Sequence, residues 1–423
     1  MAFFFSRDTK VFMSWSYDGS AAKTALYEIP VLDGFSFSQG TNTSEVTLSE
    51  AANSTGGSKR GRAMFTDSFA PAEWSFSTYM RPTVSGTGSA TTATDGVTNG
   101  QHGGNADKFA IEGPLWAAMS ANTYDRATGA SSADKSDYEP NVFNFANSNQ
   151  VTLGVFDLFF VLGASKDSEG NTYTTGTDGV TVYKLANCSV GSASIDFDIE
   201  GLAQIAWSGN GQSIEEVASL ETRATDSGNS ITGTTTLGIV NEGISSTSNY
   251  IRQKLTDLAI TFDHSASTGT LGALAVDGSN DVTYNVTLTG GNITIENNLT
   301  YLTPETLGSV NLPLGHVMGT RSVSGNFTCY LNDTANSSLD LFERLQESRG
   351  VITNAFDLAF SIGGSGNTPR CVVDIDKAHL ELPSHSFEDV VSVDVAFHGL
   401  STDLSSSTAA NATNEVKLTY TAS

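Results

Sequence analysis

Cysteine is nearly absent from this chain. The 423 residues include three, Cys188, Cys329 and Cys371, and no two of them form a C-x-x-C pair. A fold held together by disulfides needs more cysteines at closer spacing. The framework must therefore rest on a hydrophobic core, and a chain of this length is long enough to build one.

Basic side chains and long apolar runs are also scarce. Lys and Arg number 21 against 46 Asp and Glu, which gives a formal net charge of -25. Such an acidic surface repels phosphate groups, so the composition argues against a protein that grips nucleic acid or anionic lipid. The chain has no long apolar run, and its first residues lack a basic region. We therefore expect no membrane span, no signal peptide and synthesis in a cytoplasm.

Candidate catalytic and metal-binding patterns are weak. His379 and His385 lie near Asp374 and Asp376, but their spacing matches no metal-ligand pattern, and a zinc site needs three or four converging ligands. The oxygen-rich segment 277–281 is more typical of an Asp-Gly hairpin than of a calcium loop. No nucleophile elbow or phosphate-binding loop occurs. We expect no catalytic residues, no metal and no cofactor.

An internal repeat organises the sequence. FDLFFVLG, which starts at Phe156, returns as FDLAFSIG, which starts at Phe356. Each copy leads into a second block, 185–209 and 375–399, in which apolar positions match at a constant spacing. A constant apolar skeleton with a loop gained or lost between blocks is what two copies of one fold produce. The aromatic residues expected to lie in the two repeated cores are Phe156, Phe197 and Trp207 with Phe356, Phe387 and Phe397.

The repeat extends towards the N-terminus in the same block order. SFSTYM at 75–80 matches NFTCYL at 326–331, and the strand-like segment 25–34 matches 282–291. Further upstream, Lys10 and Val11 are expected to match Lys254 and Leu255. A period near 200 residues indicates a duplicated domain rather than a solenoid.

The low charge content and the abundance of Gly, Ser, Thr and Val favour strands and turns. We therefore predict an α+β fold that is mainly β, with two tandem homologous domains. Each would be a β-sandwich or barrel flanked by one short helix and by long loops. The predicted boundaries are 1–213 for the first domain, 214–248 for a linker and 249–423 for the second domain.

Short helices are predicted at 113–122, where Pro114 occupies the first turn, and at 338–347. The first copy carries extra residues on both sides of its helix, in the insertions 83–107 and 123–150. The insertion 83–107 is too polar to bury and too long for an ordinary turn. We expect both insertions to hold neighbouring subunits or rings together.

One strand-like segment has an acidic face. From 192 to 200, Asp196, Asp198 and Glu200 alternate with apolar residues, and Asp394 takes part in a similar alternation in the second copy. Residues that alternate in this way lie on opposite faces of a strand. The segment therefore predicts one packed face and one acidic face, although a solvated sheet face without a specific role has the same pattern.

Taken together, the strand WSFSTYM, the short helix, the FDLFFVLG strand and the closing block 185–209 resemble the tail tube proteins of long-tailed bacteriophages. The closest match in pattern is the variant in which one chain contains two fused tube domains. The resemblance implies a structural protein of the virion, made in the bacterial cytoplasm, that forms trimeric rings with pseudo-sixfold symmetry. It implies that these rings stack into a hollow tube and that the four acidic residues face its lumen.

The same resemblance implies a set of partners: further copies of the chain, the tape-measure protein and transiting DNA in the lumen, and the tail terminator and tail-tip proteins. It implies no membrane partner. A rival interpretation is a secreted or cell-surface β-sandwich protein, such as an adhesin or a surface-layer subunit, which shares the acidic, Ser/Thr-rich and cysteine-poor composition. A glycan-acting virion enzyme would need paired carboxylates that the second copy does not repeat.

Overall fold

The fold is described from a computed structural model. It describes residues 4–15, 25–46, 63–84, 108–121, 141–145, 153–163, 175–176, 179–218, 220, 250–262, 282–303, 306–307, 310–347, 356–387, 390–405, 407 and 414–421. The predicted segment 277–281, most of both insertions and most of the predicted linker lie outside these residues.

Strands dominate both halves of the chain, as the composition predicts. In the first half they are β1 (Lys10–Trp15), β2 (Ala25–Ile29), β3 (Ser36–Val46), β4 (Ala63–Tyr79), β5 (Pro82–Val84), β6 (Lys108–Ala110), β7 (Val142–Asn144), β8 (Phe156–Leu162), β9 (Thr181–Asp198), β10 (Gln204–Gly211) and β11 (Ser213–Val217).

The second half repeats this strand-rich pattern. Its strands are β12 (Asp257–Phe262), β13 (Val282–Glu296), β14 (Leu299–Leu302), β15 (Gly315–Met318), β16 (Ser322–Tyr330), β17 (Phe356–Ile362), β18 (Arg370–Leu380), β19 (Ser384–Phe387), β20 (Val391–Gly399) and β21 (Lys417–Thr421). The α-helices of the described residues are α1 (Gly113–Ser120) and α2 (Ser338–Glu347). The predicted mainly β class is confirmed.

The two halves pair their strands in matching registers. Ser14 of β1 lies opposite Asp157 of β8, and Thr261 of β12 lies opposite Asp357 of β17. The next strand pair repeats even an irregularity. The register shifts just after Phe156 in the β8–β9 pair and just after Phe356 in the β17–β18 pair. Because a one-residue slip would turn every side chain to the other face, agreement at this level is a demanding match.

Two of the expected residue matches shift when register is considered. The counterpart of Lys10 is Asp257 and not Lys254, because Gln253–Leu255 forms a 3-10 turn before β12 begins. In the closing strands, Trp207 lies opposite Phe76 as Val395 lies opposite Phe327. The sequence had matched Trp207 with Phe397, two residues further on. A slip of two residues keeps the same face of a strand, so the apolar pattern alone could not reveal it.

A single sheet connects the halves. Its eight strands run in the order β3, β4, β10, β9, β13, β16, β20 and β19, and we call it the long sheet. The first four strands come from the first half and the last four from the second half. We call the β9–β13 pair in the middle the internal junction. Most of the remaining pairings build a second layer. In the first half it contains β2, β1, β8 and β11 with the start of β9, and in the second half β12, β17, β18, β21 and β7 with the start of β13. Strands β5 and β6, and strands β14 and β15, form two separate two-stranded sheets.

The hydrophobic core spans both halves of the chain. Buried apolar residues from both halves form one contiguous cluster, which extends from Val11 to Tyr420. Helix α1 contributes to it with every residue buried, and the Trp116 indole N–H donates to the Tyr420 hydroxyl at 2.8 Å. A helix that is buried on all sides is typical of one enclosed by the core.

Two expected loop regions contribute strands. The predicted linker 214–248 begins inside β11, which pairs with β9 of the first half. Strand β7 lies in the insertion 123–150 and pairs with β21, so part of this insertion joins the second half of the same chain. Phe143 and Phe145 are buried there. Strand β7 could not be predicted from the sequence, because three residues are too few to show a two-residue period and the surrounding insertion is polar.

Of the six aromatic residues expected in the two cores, five are buried: Phe156, Phe197, Trp207, Phe356 and Phe397. Phe387 differs, since it is 79% exposed. It lies on β19, the last strand of the long sheet, where no further strand of the described residues covers it. The expectation that Phe387 is a core residue is therefore incorrect for the single chain.

Candidate functional surface

The strands of the long sheet alternate between a buried face and a polar face. In β9, Ile195 and Phe197 are buried while Asp196 and Asp198 are exposed. In β20, Val393 and the other core-facing residues alternate with polar ones in the same way. Two-residue periodicity places alternate side chains on opposite faces, so the eight strands present one continuous polar face.

Of the four acidic residues singled out from the sequence, Asp196, Asp198 and Asp394 lie on strands of this face, whereas Glu200 lies beyond the end of β9, where Ile199 is exposed and the predicted alternation stops. Asp196 lies opposite Gln204 of β10 on one side and Asn292 of β13 on the other, so it stands at the internal junction. Asp394 lies on β20, where it accepts a hydrogen bond at 3.2 Å from the Thr328 hydroxyl of β16. Glu200 is exposed in the turn that follows β9. The structure therefore spreads these carboxylates over both halves instead of gathering them into one site.

Sequence reasoning missed two further carboxylates on the same face. Glu73 lies between the buried residues Ala72 and Trp74 of β4, and Glu296 follows the buried Ile295 at the end of β13; both are exposed. The alternation of their strands was visible in the sequence and could have identified them. The described residues of the eight strands contain no Arg, and their one Lys is Lys184, in the first part of β9 that pairs with β8 and β11.

Short hydroxyl side chains fill much of the polar face and pair across strands. Their oxygen atoms are 2.8 Å apart between Ser36 and Ser75, 2.7 Å apart between Ser192 and Ser208, and 3.3 Å apart between Ser194 and Thr294. Cross-strand hydroxyl pairs stabilise a sheet modestly and add no charge. The face is therefore largely polar, and the charged side chains named on it are acidic.

The internal junction is built around a glycine. Phe197 of β9 lies opposite Gly291 of β13, and a Cβ atom added to Gly291 would lie 2.7 Å from the Phe197 ring and 2.4 Å from the Asn326 carbonyl oxygen. The Phe197 ring reaches into the other half, with its centroid 5.8 Å from that of Phe360. Covering a strand glycine with a cross-strand aromatic ring is a recognised way to fix register.

A shallow depression on the polar face adjoins this junction. It is lined by Asp196 from the first half and by polar and glycine residues of β13 and β16, including Asn292 and Asn326. The Asn292 side-chain oxygen accepts a hydrogen bond from the Asn326 backbone N–H at 3.1 Å, so this oxygen is already engaged within the sheet. We see here a seam between strands and not a ligand pocket.

Among the residues in the described ranges, no three His, Cys, Asp or Glu side chains converge where a metal ion could bind. Over the same residues, no helix is long and apolar enough to cross a membrane. His379 and His385 sit on separate strands, β18 and β19.

Comparisons with known proteins give one extensive match. No protein-family model matches the chain. It is 28% identical over 402 residues to "Tail tube protein pb6" of Escherichia phage T5, a match that covers 94% of this chain and 73% of the relative.

Solved structures give weaker matches. One is the tail of an empty gene transfer agent particle computed with C6 symmetry, with 17% identity, a TM-score of 0.22 and coverage of 33% of this chain and 89% of that one. Another is the virion of a native gene transfer agent particle, with 15% identity, a TM-score of 0.21 and coverage of 34% and 89%. Both TM-scores are too low to define a shared fold. The sequence match extends along nearly the whole chain, and it confirms the resemblance to the tail tube proteins of long-tailed bacteriophages that the repeated strands predicted.

Proposed function

We propose that this chain is the building block of a phage tail tube, with a structural and not a catalytic role in the virion. Three copies form a ring with pseudo-sixfold symmetry, rings stack into a tube, and the polar face of the long sheet lines the lumen. The observation that carries the proposal is the 28% identity to a tail tube protein over 402 residues.

The internal symmetry of the chain supports the ring. Each half contributes four strands to the long sheet, and the halves repeat the same pairing registers. A tandem duplicate can therefore supply two successive sectors of a closed barrel, with predicted domains at 1–213 and 249–423. Closing the ring removes the free sheet edges, which otherwise invite uncontrolled pairing.

The chemistry of the polar face supports a conduit for DNA. Asp196, Asp198, Glu200 and Asp394, with Glu73 and Glu296, would give the lumen negative charge. Like charge suppresses phosphate contacts, so DNA would pass without adhering. The tape-measure protein would occupy the same channel before DNA does, and the tail terminator and tail-tip proteins would bind the two ends of the tube.

An exposed apolar arm supports contacts along the tube axis. Strands β14 and β15 and the segment between them carry large exposed apolar side chains, including Leu307 and Leu314. The arm is anchored beside β4, where the Phe69 N–H donates to the Asn311 carbonyl oxygen at 2.9 Å. A group of large exposed apolar side chains on one arm often marks a protein contact, and a neighbouring ring would provide one.

Electron microscopy of the purified chain tests the assembly directly. We expect rings with three copies and tubes made of stacked rings. A chain that remains monomeric over a wide concentration range would contradict the proposal.

The lumen is tested by reversing charge in virions. We expect Asp196→Lys with Asp198→Lys to leave the tube intact and to reduce DNA delivery, because the two new cations attract phosphate in a salt-dependent manner. The matched control is Glu215→Lys with Glu216→Lys, which adds cations at exposed positions of β11, outside the long sheet. Equal loss of delivery in both variants would contradict the placement of the lumen.

A further inference from the structure

The two free edges of the long sheet lie at β19 and β3. Among the described residues, β19 pairs with β20 alone and β3 pairs with β4 alone. All four residues of β19 are exposed, and Phe387 presents 79% of its surface to solvent. A strand edge next to a large exposed aromatic side chain is a template for pairing with another chain.

The internal junction shows how an edge strand of one half pairs with an edge strand of the other half. There β9, the last strand from the first half, pairs antiparallel with β13, with Asp196 opposite Asn292. The pairing buries Phe197, which retains 4% exposure.

Strand registers identify β19 as the counterpart of the end of β9, just as β18 is the counterpart of its start. Asp196 lies opposite Gln204 of β10, and Ser386 lies opposite Ser392 of β20. Since β10 and β20 are themselves counterparts in the two halves, Phe387 occupies the position of Phe197.

The same reasoning identifies β3 as the counterpart of the end of β13. Asn292 lies opposite Asn326 of β16, and Ser36 lies opposite Ser75 of β4. Ser75 and Asn326 occupy matching positions in the repeated strands, so Ser36 stands where Asn292 stands in the second half.

We propose that β19 of one copy pairs antiparallel with β3 of a second copy, with Ser386 opposite Ser36. This inference rests on the proposed function, because it specifies the contact that closes the ring. It places Phe387 opposite Phe35, His385 opposite Phe37 and Ser384 opposite Ser38.

The residues that would meet are complementary on both faces. On the buried face, His385 and Phe387, whose ring centroids are 6.3 Å apart, meet Phe37 and Phe35. On the polar face, serines meet serines, as hydroxyls already pair across the internal junction between Ser194 and Thr294. Cross-strand aromatic and hydroxyl pairs are favourable combinations in antiparallel sheets.

The proposed contact between copies differs from the internal junction at one position. Phe35 stands where Gly291 stands, and its ring lies 5.7 Å from that of Phe160. The space that Phe197 fills at the internal junction is therefore already taken, so Phe387 would pack on the exposed side of the Phe35 ring. Neither β19 nor the segment of β3 that faces it carries a charge that would oppose this contact.

Disulfide trapping tests the register. The double variant Ser36→Cys with Ser386→Cys should form disulfides between chains in assembled tubes, because opposed Cβ atoms in an antiparallel pair lie close enough for the bond. Gly40→Cys with Ser386→Cys is the matched control; it lies four residues out of register, roughly 14 Å along the strand. The native cysteines are buried, so they do not compete.

The outcomes separate this inference from the proposed function. Cross-links at 36–386 and none at 40–386, read on non-reducing gels, support the inference. Tubes without the 36–386 cross-link overturn the inference and leave the proposed function intact. Cross-linked open chains that never form rings or tubes support the pairing and contradict the function. A chain that stays monomeric overturns both.

A second variant tests the aromatic contact. Phe387→Ser should abolish rings and tubes and leave the far-ultraviolet circular dichroism and thermal transition of the monomer unchanged. Leu404→Ser is the matched control, since Leu404 is equally exposed at 84% but lies outside the long sheet. Normal tubes from Phe387→Ser would overturn the inferred packing of Phe387.

Discussion

The internal junction and the free edges of the long sheet are counterparts, yet they are built differently. At the internal junction, Phe197 is 4% exposed and covers Gly291. At the free edges, Phe387 is 79% exposed and Phe35 stands in place of the glycine. The junction within the chain forms during folding and can use a close socket that only glycine permits.

The free edge must remain soluble before assembly. Strand β19 has four residues, whereas the end of β9, its counterpart, pairs with β13 through the seven residues Ser192–Asp198. Short edge strands are a common way to limit unwanted pairing. Within the chain, the two halves therefore meet along a tightly packed strand pair, and the contact that we propose between copies would be shorter.

The largest expected effect distinguishes the two phenylalanines. Phe197→Ala should lower the free energy of unfolding by about 3–5 kcal/mol, the usual cost of removing a buried Phe side chain. Phe387→Ala should change it by less than about 0.5 kcal/mol in the monomer, as exposed substitutions do. Urea unfolding of both variants below the assembly concentration measures the difference. Equal destabilisation by the two substitutions would contradict the difference in burial between Phe197 and Phe387.

A second prediction concerns the contact between α1 and β21, where the halves also meet. Glu112 is buried beside Tyr420, and the Arg81 backbone N–H donates to its carboxylate oxygens at 3.3 and 3.4 Å. Burial raises the pKa of Glu112 from 4.5 to about 7, although hydrogen bonds from Tyr420 and the Arg81 backbone partly oppose the shift. A raised pKa in the folded state means that the stabilising contribution is complete below pH 4.5 and is lost as the pH rises to about 7.

The loss over that window should be roughly 3 kcal/mol, since each pKa unit corresponds to about 1.4 kcal/mol. Glu112→Gln carries no titrating group and should remove this part of the pH dependence. Urea midpoints of the native chain and the variant between pH 4.5 and 7.5 give the comparison. The same dependence of the urea midpoint on pH in both proteins would contradict the assignment to Glu112.

The smallest expected effect tests the glycine socket. Gly291→Ala should cost about 1–3 kcal/mol, because the new methyl group would overlap the Phe197 ring and the Asn326 carbonyl oxygen. Gly40→Ala on the free strand β3 should be nearly neutral, since its Cβ would meet Ala70 at an ordinary 3.5 Å. Thermal unfolding of both variants is sufficient. A neutral Gly291→Ala would show that the seam is looser than the structure indicates.

Much of this protein is determined by its sequence. The mainly β class, helix α2 at its observed bounds and the strand-by-strand repeat follow from residue type, period and block order, which are local properties of the chain. The alternation around Asp196 and Asp394 likewise fixed which side chains share a face.

Only the tertiary structure decided how the repeated units join. A two-residue slip of β10 against β20 leaves the apolar pattern unchanged, so register had to come from pairing. Phe197 and Phe387 occupy equivalent positions in sequence, but one is buried and the other exposed because burial depends on whether a strand has a neighbour. The single core shared by both halves also depends on contacts between residues far apart in the chain, and so does strand β7. Local sequence patterns do not record such contacts.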